Sequence, residues 1–130
     1  MSELNHVACV EDDSDIRSIV ELALGDLGGM NVSLFENGAA AVAGMEETAP
    51  QMILLDVMMP GMDGLETLSR LRAMPALSNT PCVFMTAKAQ PSEIHRYVEA
   101  GALGVITKPF DPMTLADQVR DFWNGDGDAR

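Results

Sequence analysis

Five short apolar runs punctuate the chain: His6–Val10, Asn31–Phe35, Met52–Leu55, Cys82–Met85 and Leu103–Thr107, each read as a buried β-strand. Between them the apolar period changes. Ile16, Ile19, Val20, Ala23, Leu24 and Leu27 fall on one face of a helix, and Leu65, Leu68 and Leu71 line a face of another. Strand and helix patterns alternating in this way predict an α/β fold, a doubly wound, five-stranded parallel sheet built from right-handed βα units. Local chemistry marks the boundaries. Gly28-Gly29 stops the first helix, Pro50 precedes the third strand, Asp63 is placed to cap the third helix, Ser92 lies near the start of the fourth, and the last helix covers residues 113–123. Residues 124–130 are polar, rich in Gly and Asp, and without apolar periodicity, so the expected organisation is one domain over 1–123 and a disordered tail over 124–130.

Composition narrows the classes of function. A chain of 130 residues, 47% of them hydrophobic, can bury one core but not two. Twenty acidic against eight basic residues give a net charge of -12, a field that repels phosphate backbones and anionic headgroups, so neither direct nucleic-acid binding nor membrane association is expected. No apolar run approaches the roughly 18 residues of a membrane span, and the N-terminus lacks the basic-then-apolar design of an export signal. Cys9 and Cys82 lie inside apolar runs with no metal-ligand spacing and read as reduced core residues of a cytoplasmic protein.

In doubly wound sheets, ligands sit outside the carboxyl ends of the strands, near the point where strand order reverses. The residues at those ends are Glu11, Asp12 and Asp13 after the first strand, Asp56 after the third, Thr86 after the fourth and Lys108 after the fifth. Carboxylates crowded together repel by up to ~4 kcal/mol per pair at about 4 Å and an effective dielectric near 20, which a hard divalent cation relieves. Oxygen ligands without His or Cys favour Mg2+ over zinc. Ionised Glu11, Asp12 and Asp56 balance Mg2+ plus Lys108, and an arriving phosphoryl group unbalances them. An ammonium and a metal can grip phosphoryl oxygens while a carboxylate attacks, and Asp56, ending the central strand, is the candidate nucleophile.

Each element also has a plainer reading. The Glu11-Asp12-Asp13 run is compatible with acids favouring the first turn of a helix, Lys108-Pro109 with a surface turn, and Thr86 with a polar strand end. Their joint placement argues for a site. The ten methionines, Met52, Met58, Met59, Met62 and Met85 among them, are read as packing residues, and His6 and His95 lack a third ligand.

Val10-Glu11-Asp12-Asp13, the run from Leu54-Leu55-Asp56-Val57-Met58-Met59-Pro60 to Gly61-Met62-Asp63-Gly64, Met85-Thr86-Ala87 and Thr107-Lys108-Pro109-Phe110 together resemble the four signatures of two-component response regulator receiver domains, the CheY-like family, in family order. The resemblance implies a flavodoxin-like (βα)5 sheet with strand order 2-1-3-4-5. It makes Asp56 the phospho-acceptor, with Mg2+ held by Glu11, Asp12, Asp56 and the backbone carbonyl of Met58, and Thr86 and Lys108 on the phosphoryl oxygens. It further implies a cis bond before Pro109, a sensor histidine kinase or histidine phosphotransfer protein as donor, and a downstream protein target. It leaves a phosphorylation-dependent homodimer open. Autodephosphorylation is expected, with Met58 and Lys88 flanking the phosphoryl group; the chain is a signalling protein rather than an enzyme.

One position departs from the family. Receivers commonly carry Tyr or Phe three residues before the lysine, and here that residue is Val105. Output is still expected through the fourth helix, fifth strand and fifth helix, with His95, Arg96, Tyr97 and Trp123 accessible to a partner. Three other functions compete. A phosphorylation-independent binding module is disfavoured by the complete set of acids, hydroxyl and lysine. An aspartate-nucleophile phosphohydrolase of the haloacid dehalogenase type needs a second acid where Met58 stands. The receiver end of a longer transcription factor remains, but the chain carries no DNA-binding element, so a stand-alone regulator is the preferred reading.

Overall fold

The apolar runs form the strands they predict: β1 (His6–Val10), β2 (Asn31–Phe35), β3 (Met52–Asp56), β4 (Cys82–Thr86) and β5 (Gly104–Thr107). In the computed structural model, which describes residues 3–125, they pair in parallel in the order β2-β1-β3-β4-β5. The helices are α1 (Ser14–Val20), α2 (Gly38–Thr48), α3 (Gly64–Arg72), α4 (Pro91–Glu99) and α5 (Leu115–Trp123). The expected tail is described only at Asn124 and Gly125; its remainder lies outside the described residues.

Period-2 geometry divides each strand between two cores. Ala8 and Val10, Ile53 and Leu55, and Cys82 and Phe84 face Ala41, Met45, Leu68, Leu71 and Tyr97 of α2, α3 and α4. Val7 and Cys9, Met52 and Leu54, and Val83 and Met85 face Val20, Leu24, Leu115 and Val119 on the other side, from α1, its extension and α5. Burial on both faces explains why β1, β3 and β4 read as continuous apolar runs rather than alternating ones. Both cysteines are free and buried, as expected.

The first helical stripe is not wholly buried. Val20, Ala23 and Leu24 are inaccessible, but Ile19 is 37% and Leu27 55% exposed. Beyond Val20 the helix widens into a π-helical segment, Glu21–Asp26, in which Leu27 N–H donates to Leu22 O at 2.9 Å. An i→i+5 turn rotates the following side chains off the α-helical stripe. Gly29 at φ 74° then ends the helix, as the glycine pair predicts.

Caps adjust other boundaries. Asp63 caps α3, accepting from Glu66 N–H at 2.8 Å. Helix α4 starts at Pro91 and is capped by Gln90 in a reciprocal box with Glu93; Ser92 lies in its first turn. Helix α5 begins at Leu115 rather than at 113, because Asp111 first closes a turn on Met113 and leaves that residue 74% exposed. No helix among the described residues is long and apolar enough to cross a membrane.

Candidate functional site

Strand order reverses between β1 and β3, and the ends of these strands bring their acids together. Glu11, Asp12 and Asp56 each offer a carboxylate oxygen, and the three oxygens lie within 4.8 Å of one another. Glu11 and Asp56 are buried at 1% and 3% exposure, while Asp12 is exposed. With Asp13, Ile16, Met58, Ala87 and Lys108 they line a cleft of about 220 Å³.

Lys108 enters from β5. Its backbone N–H donates to Thr86 O at 2.9 Å, tying the chain beyond β5 to the end of β4, and its peptide bond to Pro109 is cis. Its Nζ donates to Glu11 Oε1 at 2.5 Å and lies 3.1 Å from Asp56 Oδ1. One ammonium thus bridges two buried carboxylates, an arrangement in which electrostatic hydrogen bonds are strong. Burial works against the charge on Lys108, but the Glu11 hydrogen bond and the Asp56 and Glu11 charges outweigh it and raise its pKa. Burial also pushes Glu11 up to about 7; the Lys108 hydrogen bond pulls it down and the neighbouring Asp56 pushes it up again.

Local backbone chemistry fixes these side chains. Asp13 caps α1, accepting from Asp15 and Ile16 N–H, and its own N–H donates to Glu11 Oε2 at 3.2 Å. Arg17 reaches back from α1 to donate to the carbonyls of Glu11 and Asp12 at 2.8 and 3.0 Å. Nothing in the spacing of the acids singles out this arginine, whose part depends on the closeness of helix and loop. Below Asp56, Gly64 N–H donates to Val57 O at 2.9 Å; a Cβ at Gly64 would sit 2.3 Å from Asp56 O, so only glycine allows this approach.

Glu11, Asp12, Asp56 and Lys108 therefore meet as expected, and Met58 joins them in the cleft wall. The expectation that Met58 is a packing residue is corrected. It is 59% exposed, whereas Met59 is 7% exposed and Met52 and Met85 are fully buried. The Met58 N–H donates to Asp56 Oδ1 at 3.4 Å. Thr86 is buried at the end of β4, but it is not among the cleft-lining residues, and its Oγ1 accepts from Lys88 N–H at 2.9 Å. Of the residues expected on the accessible face, His95 and Arg96 are exposed and Trp123 is half-buried; Tyr97 is buried at 3%, because its ring turns inward onto Phe84.

The three acids suit a hard divalent cation: the converging donors are carboxylate oxygens on neighbouring loops, with no imidazole or thiolate among them. The arrangement is an acidic, metal-competent pocket of the kind typical of phospho-accepting aspartate sites.

The sequence profile of the response regulator receiver domain matches residues 7–120. The chain is 36% identical over 120 residues to the transcriptional regulatory protein CseB of Streptomyces avermitilis, covering 92% of this chain and 49% of that protein, so it spans about half the length of that curated relative. It is 31% identical over 116 residues to an uncharacterized 14.6 kDa protein of Leptolyngbya boryana, covering 89% of this chain and 88% of the other. Among solved structures, chemotaxis protein CheY4 of Vibrio cholerae superposes with a TM-score of 0.85 at 29% identity, covering 92% of this chain and 98% of that one.

Proposed function

The chain belongs to the response regulator receiver family, whose members are phospho-accepting signalling modules served by histidine kinases, and from that premise we propose that Asp56 accepts the phosphoryl group in a Mg2+-dependent transfer. The observation that carries this reading is the Lys108 ammonium set between Glu11 and Asp56 in the cleft that also holds Asp12. Asp56 attacks the phosphorus atom of a phosphohistidine on a kinase or phosphotransfer protein. A carboxylate O–P bond forms as the N–P bond breaks, and the imidazole leaves with the electron pair. Glu11, Asp12, Asp56 and the Met58 carbonyl are the ligands we assign to Mg2+, which, when bound, neutralises phosphoryl charge.

Lys108 then has two duties. It holds Asp56 in place, and it offers an ammonium to the charge that accumulates on the transferred group. Thr86, at the end of the adjacent strand, supplies a hydroxyl to the same oxygens after leaving its resting position. Exposed Met58 and Lys88 flank the group and bear on hydrolysis of the acyl phosphate. We assign the receiver unit to residues 1–123, acting in the cytoplasm through protein contacts, with phosphorylation-dependent homodimerisation one form of output.

Incubation with Mg2+ and acetyl phosphate, followed by intact mass, tests the assignment. The expected product is a single hydroxylamine-labile phosphoryl adduct on wild type, absent from Asp56→Asn and absent with EDTA. An adduct of equal yield on Asp56→Asn would overturn the choice of acceptor.

A further inference from the structure

Tyr97 is the only tyrosine of the chain and stands on α4 with its ring inside the core. Its centroid lies 5.3 Å from that of Phe84, tilted by 56°. Phe84 pairs in register with Val105 on β5, and both pack in the cluster that contains Tyr97. The small side chain at 105 thus coincides with a large ring entering the same cluster from α4.

The Tyr97 hydroxyl donates to Lys88 O at 3.4 Å. The N–H of the same Lys88 donates to Thr86 Oγ1 at 2.9 Å. Two hydrogen bonds, one on each side of Lys88, therefore link the hydroxyl at the end of β4 to the middle of α4. We propose, on the basis of the receiver reading above, that Tyr97 is a positioning residue: it latches the loop after β4 in its resting place and transmits the state of Asp56 from Thr86 to α4.

The argument is mechanical. Thr86 can bring its hydroxyl to an anion on Asp56 either by leaving the Lys88 N–H or by drawing Lys88 with it. The second route displaces the carbonyl that accepts from Tyr97, and the first releases the residue that carries it. A buried hydroxyl deprived of its acceptor is costly, so the ring and α4 must readjust to find another. Because a single long hydrogen bond is a weak latch, its removal favours the engaged state by about two- to fivefold.

A full-length chain labelled with 3-fluorotyrosine gives one protein fluorine resonance, and beryllofluoride bound with Mg2+ gives its own fluorine signals, which report occupancy independently. The expected result is a shift of the Tyr97 resonance on wild type at saturation, and none on Thr86→Ala at matched occupancy. Tyr97→Phe, which keeps the ring and its packing, is expected to bind beryllofluoride about two- to fivefold more tightly. Bound beryllofluoride without a Tyr97 shift, an equal shift in Thr86→Ala, or unchanged or weaker binding by Tyr97→Phe overturns the latch while leaving the receiver reading intact. Absence of bound beryllofluoride on wild type counts against the receiver reading itself, and the latch falls with it.

Discussion

The two ends of the sheet solve the same problem by different means. At the amino ends of β1 and β3, Gln51 Oε1 accepts from Asn5 and His6 N–H at 2.6 and 2.9 Å, and its Nε2 donates to Glu3 O at 3.0 Å. A neutral amide thereby satisfies the backbone where the strands begin. At the carboxyl ends, three carboxylates and one ammonium crowd together, with Glu11 and Asp56 buried. Burying charge is expensive even when it is paired, whereas a satisfied amide costs little. Closing a sheet requires only the first solution, so the second is a feature of function.

Lys108→Met should give the largest separation between the two ends. It leaves Glu11 and Asp56 facing each other without their shared cation, and chemical denaturation at pH 8 without Mg2+ is expected to show a loss of about 2–4 kcal/mol. Added Mg2+ should restore part of that loss. A variant as stable as wild type would mean that the ammonium merely offsets its own desolvation.

Gln51→Ala tests the other end. Loss of its three hydrogen bonds should cost about 1–2 kcal/mol in the same measurement, since water can reach part of the vacated site. The rate of phosphorylation by acetyl phosphate should stay within about twofold of wild type, because a satisfied distant amide and the site are independent. A large change in that rate would show that the two ends are coupled.

The smallest effect concerns pH. Glu11 binds its proton up to about pH 7 in the metal-free fold, against an ordinary value of 4.5. Its ionisation therefore costs the folded state stability above pH 7, and the cost disappears as pH falls towards 4.5; Lys108, raised in pKa, remains charged throughout. Since the proton competes with Mg2+, apparent Mg2+ affinity should fall by about fivefold between pH 7 and pH 6, measured by calorimetry. In Glu11→Gln this segment of the profile should flatten. An unchanged slope would assign the titration to another group.

Much of this was legible in the sequence because it is local or periodic. Strand limits fell within a residue of the apolar runs, since β1, β3 and β4 are buried on both faces and need unbroken hydrophobicity. The site acids were legible because parallel topology sends every strand's carboxyl end to one rim. Leu27, Met58 and Tyr97 were misjudged for different reasons. A π turn arises from packing around the helix rather than from residue type, Met58 and Met59 part ways in an irregular loop, and Tyr97 turns inward beside Phe84 in the cluster where β5 presents Val105.

By itself, then, the sequence determined the order of elements, the two-faced core, the family and the residues available for chemistry, because periodicity and local turn chemistry are written residue by residue. Only the tertiary structure decided which side chains hold one another: Lys108 between Glu11 and Asp56, Arg17 on the carbonyls beside them, and Tyr97 on the loop that also holds Thr86. Those partnerships join residues on different elements, and hydrogen bonds depend on distances and directions that exist only once the helices have settled on the sheet.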